Sequence, residues 1–458
     1  MFAKETYIAR RAKLKQTIGS GLLLFLGNDE SGMNYADNTY HFRQDSTFLY
    51  FFGLPYAGLS AIIDIDNNRE IIFGDELTID AIVWMGTQPT LKEKSEAAGI
   101  TEVRPFKEIE TYLKNAQQKG QPIHYLPTYR AEHQIKLFQW LGVVPGAEKP
   151  SVPFIMGVVN QRNYKSEEEI AEIEKACIVT ADMHLAAMRT VRPGIRESEV
   201  APAVAEVAYA NNYELSFPII ATINGQTLHN HDHSNLIKSG DMLLLDAGAE
   251  TEMGYAGDMS STIPADAKFT TRQREIYDIQ VAAHEAAVAA LRPGIPFVDV
   301  YELSCKVIME GLKELGFVKG DPMEAVKAGA HAMFMPCGLG HMMGLDVHDM
   351  ENLGEVYVGY DGQPKSTEFG RKSLRLGRKL EPGFVLTIEP GVYFIPELMD
   401  LWRSQNKFTE FINYDKLFTY KDFSGIRNEE DYLITENGAR LLGKKIPVRA
   451  EEVEAIRK

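Results

Sequence analysis

Arg192-Pro193-Gly194-Ile195 recurs as Arg292-Pro293-Gly294-Ile295, and the surroundings of each copy recur with it. Each copy follows a long stretch of helical periodicity and precedes a second one, 198–211 in the first case and 298–315 in the other. Proline and glycine both stop helices, so each copy predicts a turn between two helices. An apolar strand ending in an acid follows in both. Gly240-Asp241-Met242-Leu243-Leu244-Leu245-Asp246-Ala247-Gly248 parallels Gly383-Phe384-Val385-Leu386-Thr387-Ile388-Glu389-Pro390-Gly391. A four-residue match arises by chance, but a matched order of helix, turn, helix, strand and acid arises far less easily. The repeat predicts two related α/β halves packed about a pseudo-twofold axis.

Each half offers a second acid on a following strand: Asp258 in Tyr255-Ala256-Gly257-Asp258, and Glu429 in Gly425-Ile426-Arg427-Asn428-Glu429. The pseudo-symmetry would bring Asp246, Asp258, Glu389 and Glu429 together. Any one of them alone could be an acid at a strand end facing water. Buried carboxylates this close cannot all stay ionised without cations. Between the two acids of the first half and those of the second lies Pro336–Asp349, reading P-C-G-L-G-H-M-M-G-L-D-V-H-D. Its three glycines argue against a regular helix and for a tight backbone beside a ligand. With His341 from this stretch, the set is four hard carboxylate donors and one imidazole. That composition favours a pair of divalent ions of manganese type over a thiolate-rich zinc site.

Composition narrows the partners. Lys and Arg number 48 against 64 Asp and Glu, a net charge of −16, which leaves no basic footprint for nucleic acid or an anionic membrane. Cys177, Cys305 and Cys337 are an odd, widely spaced set, as expected of reduced thiols in a cytoplasm. No apolar run approaches the ~18 residues of a membrane span. Arg10-Arg11 ahead of Leu22–Leu26 imitates an export signal, but the apolar run is short and Lys13 and Lys15 intervene. The stretch reads instead as an amphipathic helix feeding a buried strand.

At 458 residues two or three domains are expected. Residues 1–155 read as a smaller α/β N-terminal domain, with strands expected at 21–26, 46–52, 60–65 and 70–73. The charged and aromatic run His41–Phe48 reads as a strand edge at an interface. Gly146–Pro153, with Pro150 and Pro153, reads as a linker. Residues 156–458 form the second domain and carry the repeat. Within it, Ser166-Glu167-Glu168-Glu169 is a capping box, opening a helix that should end near Arg192.

At the acids and glycines described, the sequence resembles the aminopeptidase P and prolidase family of Xaa-Pro metallopeptidases. The matching motifs are L-L-D-A-G around Asp246, Y-A-G-D at Asp258, G-L-G-H-M-M-G-L-D-V-H-D, T-I-E-P-G at Glu389 and G-I-R-N-E-E-D at Glu429. A weaker match, F-R-Q-D-S-T-F-L-Y-F-F-G-L, resembles that family's N-terminal domain. The resemblance implies a pita-bread catalytic domain of α/β (α+β) class. It implies that Asp246 and Asp258 bind one metal ion, with Asp258 bridging. His341 and Glu389 would bind the second, and Glu429 would bridge both. The ions would be two Mn2+, with Co2+ or Zn2+ as alternatives, and a hydroxide between them the nucleophile. Glu389 would relay its proton, His229 and His348 would contact substrate and stabilise the tetrahedral intermediate, and Arg427 would support the bridging carboxylates.

Three departures from the family pattern stand out. Cys337 occupies a position usually held by histidine, the Asp246-to-Asp258 hairpin (258 − 246 = 12) looks one residue long, and Phe217 replaces a tyrosine. The connection from Glu389 to Glu429 and the run 373–383 resemble prolidase, where Arg375 is expected to bind the substrate carboxylate. Arg371, Lys372, Arg378 and Lys379 crowd the same run, so Arg375 also fits a solvated basic cluster. The function this implies is hydrolysis of peptides with proline second, Xaa-Pro dipeptides above all, by a cytoplasmic homodimer. The alternatives are an Xaa-Pro aminopeptidase acting on longer peptides, and a binding protein that kept the fold and lost catalysis. A methionine-type aminopeptidase shares the ligand scheme but leaves the N-terminal domain unexplained.

Overall fold

In the computed structural model, which describes residues 1–457, the first amphipathic stretch is the helix Lys4–Ile18. Gly19, at φ 87°, ends it, and the buried strand Leu22–Leu26 follows. The chain divides into two units: Met1–Arg162 with Met350–Tyr357, and Asn163–Asp349 with the chain from Val358 onward. Among the described residues no helix is long and apolar enough to cross a membrane.

The first unit holds a five-stranded sheet in the order Glu102–Arg104, Arg69–Phe73, Ser60–Asp64, Leu22–Leu26, Ile123–His124. Three of the four strands expected there are present. The fourth, Ser46–Phe52, is instead a helix. The Asp45 side chain accepts a hydrogen bond from the Phe48 N–H at its start, and Gly53, at φ 64°, closes its end. Six of its seven residues are buried. An aromatic run buried all round shows no alternation of two or of 3.6, so its composition suggested a strand while the caps decided for a helix. Phe51 and Phe52 pack on Phe25 with ring centroids 5.4 and 5.0 Å away. The expected linker is also shorter than Gly146–Pro153, because the helix Val152–Arg162 takes Pro153 into its first turn.

The second unit shows the repeat directly. The helices Glu167–Thr190 and Thr271–Ala290 each run into an R-P-G-I turn, and the helices Glu197–Ala210 and Phe297–Glu314 follow. The turns are held alike. The Ile237 N–H donates to the Ile195 carbonyl at 2.9 Å, and the Leu380 N–H to the Ile295 carbonyl at 2.9 Å. The helix pairs cover two three-stranded sheets. One runs Met259–Pro264, Met242–Ala247, Ile220–Thr222, and the other Val385–Ile388, Glu430–Thr435, Gly438–Leu441. The halves join where the Glu429 N–H donates to the Ser260 carbonyl at 3.0 Å and the Thr262 hydroxyl to the Arg427 carbonyl at 2.9 Å.

The glycine-rich stretch lies antiparallel along Val385–Ile388. The Met343 N–H donates to Val385, Thr387 N–H to His341, and Glu389 N–H to Leu339. A side chain at Gly340 would collide with the Thr387 carbonyl, so only glycine lets the two backbones approach. This pairing puts His341 beside the strand that ends at Glu389.

Candidate metal centre

The carboxylates come from strand ends, as the repeat requires. Asp246 is in the strand Met242–Ala247, and Asp258 immediately precedes Met259–Pro264. Glu389 follows Val385–Ile388, and Glu429 immediately precedes Glu430–Thr435. Asp258, His341 and Glu429, all buried, offer ligand atoms within 4.8 Å of one another. His341 Nε2 stands 3.4 Å from Asp258 Oδ2 and 3.7 Å from Glu389 Oε1. The His341 ring is oriented from behind, with Nδ1 3.1 Å from the Met342 carbonyl.

Arg427 ties Asp246 into the cluster. Its Nη2 donates to Asp246 Oδ2 at 2.6 Å, its Nε to the Ser260 hydroxyl at 2.9 Å, and its Nη1 to the Tyr393 hydroxyl at 3.0 Å. Ser260 in turn donates to Glu429 Oε2 at 2.7 Å. Behind the cluster, Asp431 Oδ2 accepts from the Asp258 N–H at 3.1 Å. Sequence reasoning missed Ser260, Tyr393 and Asp431. Asp431 alone had a signal, lying two residues past Glu429 and so on the same face of the strand.

The site is over-supplied with negative charge. Asp246, Asp258, Glu389 and Glu429 crowd together, and the Arg427 guanidinium hydrogen-bonds to one of them, Asp246. Burial and then repulsion from Asp246 push the Asp258 carboxyl well above the usual carboxylate range. Burial and then Asp258 do the same to Glu429. Burial raises Glu389 too, against the pull of His341 and Arg427. Among the described residues, buried Asp246 Oδ1 and Asp258 Oδ1 have no hydrogen-bond partner. Buried anionic oxygens without donors, beside an imidazole nitrogen, fit a divalent cation and fit nothing apolar. The donors are oxygen and nitrogen only, because Cys337 holds no place among them.

The remaining predicted residues ring this cluster. The His348 ring centroid is 4.4 Å from that of His341, edge to face. Burial first, and then the proximity of His341 and Arg375, lower the His348 imidazole far below its usual range and keep it neutral. Burial also lowers His229, which feels Asp246, Arg427 and Arg375. Arg375 thus bears electrostatically on His229, His348 and Glu389 alike. Glu389 keeps 21% of its side-chain exposure against 6% for Asp258, so it is the acid that an incoming molecule meets. Cys337 is partly buried against a small apolar cluster of Ile220, Leu244 and Tyr393.

The model of metallopeptidase family M24 matches residues 171–436, which is more than half of the chain, and that of the aminopeptidase P N-terminal domain matches 7–124. The chain belongs to metallopeptidase family M24. Its M24 domain has the pita-bread fold, and the aminopeptidase P type of N-terminal domain precedes it. An Xaa-Pro aminopeptidase of Escherichia coli K12 is 31% identical over 99% of this chain and 98% of its own. A human Xaa-Pro dipeptidase is 28% identical over 98% of this chain and 91% of its own. Among solved structures, proline aminopeptidase P II from Yersinia pestis superposes with TM-score 0.82 at 28% identity, covering 100% of this chain and 99% of that one. Membership of M24 makes this an enzyme that uses divalent metal.

Proposed function

We propose that the protein is a dinuclear metallopeptidase that hydrolyses the bond before proline in Xaa-Pro dipeptides. The relatives of matching length, named Xaa-Pro dipeptidase and Xaa-Pro aminopeptidase, support the Xaa-Pro class. The convergence of Asp246, Asp258, His341, Glu389 and Glu429 supports the metal set, and its hard oxygen donors favour Mn2+. Two divalent ions held there would polarise the scissile carbonyl and lower the pKa of a water. Glu389, the more exposed of the acids beside His341, would accept a proton from the attacking water and return it to the departing proline nitrogen. His229 and His348, neutral at their depth, donate hydrogen bonds to the substrate and to the oxyanion as it forms. Arg427 keeps Asp246 aimed at the centre while Ser260 holds Glu429.

One observation carries the dipeptide reading. Arg375 bears electrostatically on the two candidate substrate histidines and on Glu389, which places its charge within reach of the metal cluster. A dipeptide ends in a carboxylate directly after proline, and a guanidinium can grip it with two parallel N–H donors. Arg375→Ala should therefore lower kcat/KM on Ala-Pro by about 10–150-fold, the equivalent of roughly 1.5–3 kcal/mol for a charge-assisted bond. Slow cleavage of Ala-Pro-Ala should change little. Equal losses on both peptides would remove Arg375 from carboxylate recognition. The length match to the Escherichia coli Xaa-Pro aminopeptidase favours the second reading, activity on longer peptides. A wild-type preference for Ala-Pro-Ala would establish it.

A further inference from the structure

We infer that Asp431 is a positioning residue for the metal centre, acting through the backbone of Asp258. The inference rests on the proposed metal reading of this cluster.

Asp431 is wholly buried in the strand Glu430–Thr435, paired opposite Thr387. Its Oδ2 accepts two hydrogen bonds, from the Asp258 N–H and from the Cys177 thiol, each at 3.1 Å. Cys177 belongs to the helix Glu167–Thr190 and is itself wholly buried. One carboxylate oxygen thus pins three elements: its own strand, the covering helix, and the turn into Met259–Pro264 on which Asp258 sits.

The packing around this contact is close. A side chain at Gly257 would strike the Thr180 hydroxyl and the backbone of Ala176 and Cys177, and one at Gly443 would strike Cys177. The helix backbone is therefore pressed closely onto both segments. An N–H at this depth must be satisfied or the segment shifts. A shift of Asp258 moves a side chain that lies 3.4 Å from His341 Nε2. What the position requires is an acceptor oxygen, and Asn also provides one.

The test measures Mn2+ affinity of the full chain by competition with a chromophoric chelator, alongside circular dichroism and the unfolding midpoint. Asp431→Ala is expected to fold and to bind Mn2+ about 10–100-fold more weakly, as loss of an outer-sphere partner does. Asp431→Asn is expected to stay within about threefold of wild type, because its amide oxygen can still accept from Asp258. Cys177→Ala, which spares that bond, should do the same. A folded Asp431→Ala within threefold of wild type overturns the inference, as does an Asp431→Asn or Cys177→Ala weakened beyond threefold. Should Asp431→Ala not fold, Asp431→Asn decides by the same limit. A wild-type chain that does not bind Mn2+ overturns the metal reading and this inference with it, so the two failures are distinct.

Discussion

Glu389→Gln is expected to lower kcat on Ala-Pro by roughly 10²–10⁴-fold, the range of a lost general acid–base, while circular dichroism and the unfolding midpoint stay close to wild type. Glu389 immediately follows the strand Val385–Ile388, and its backbone N–H is held by the Leu339 carbonyl. Glutamine keeps that backbone bond and the side-chain volume, so the fold has little reason to change. It loses the negative charge that offsets a cation and the basicity that accepts a proton. Of the acids compared above, Glu389 is the more exposed, as a group exchanging protons with substrate should be. Turnover within threefold of wild type would remove Glu389 from the chemistry.

Metal removal should have an effect of comparable size on activity and a second one on stability. Chelation is expected to abolish hydrolysis of Ala-Pro, and added Mn2+ to restore it. Ions present at about a thousandfold above their Kd add ~4 kcal/mol to stability. At about 1.5–2 °C per kcal/mol for a domain of roughly 300 residues, chelation should lower Tm by roughly 6–8 °C. The metal-free protein should also be pH-sensitive, and the sign follows from the carboxyls. Asp258 and Glu429 stand well above the usual carboxylate range when folded, and titrate near ~4 when unfolded. A folded-state pKa above the unfolded one gives stability that is complete below ~4 and is lost as pH rises toward the folded value. Tm of the chelated protein should therefore fall between pH 5 and pH 8, and saturating Mn2+ should flatten the profile. A Tm that chelator leaves unmoved at pH 8 would contradict a metal at this cluster.

The architecture of the second unit was legible because it is written twice in linear order. The R-P-G-I turns, the capping box at Ser166 and the two acid-terminated strands each needed only local patterns. The helix Ser46–Phe52 was not legible, since burial on every side erases the period that separates helix from strand. In the site, the acids announced themselves by symmetry, but their supports did not. Ser260 meets Glu429 across 169 residues and Arg427 meets Asp246 across 181. Contacts of that separation leave no local trace. Arg427 was found only because its motif resembled a family's, and Ser260 and Tyr393 carry no such mark.

The central claim is most directly tested by kcat/KM of the manganese-loaded wild-type protein on Ala-Pro, Ala-Ala and Ala-Pro-Ala. A bond to proline presents no N–H, and a site built around that bond has no donor to expect from substrate. Ala-Pro is expected to exceed Ala-Ala by about a hundredfold, the scale of ~3 kcal/mol in the transition state, and to exceed Ala-Pro-Ala as well. Equal rates on Ala-Pro and Ala-Ala would contradict the account and mark a general aminopeptidase.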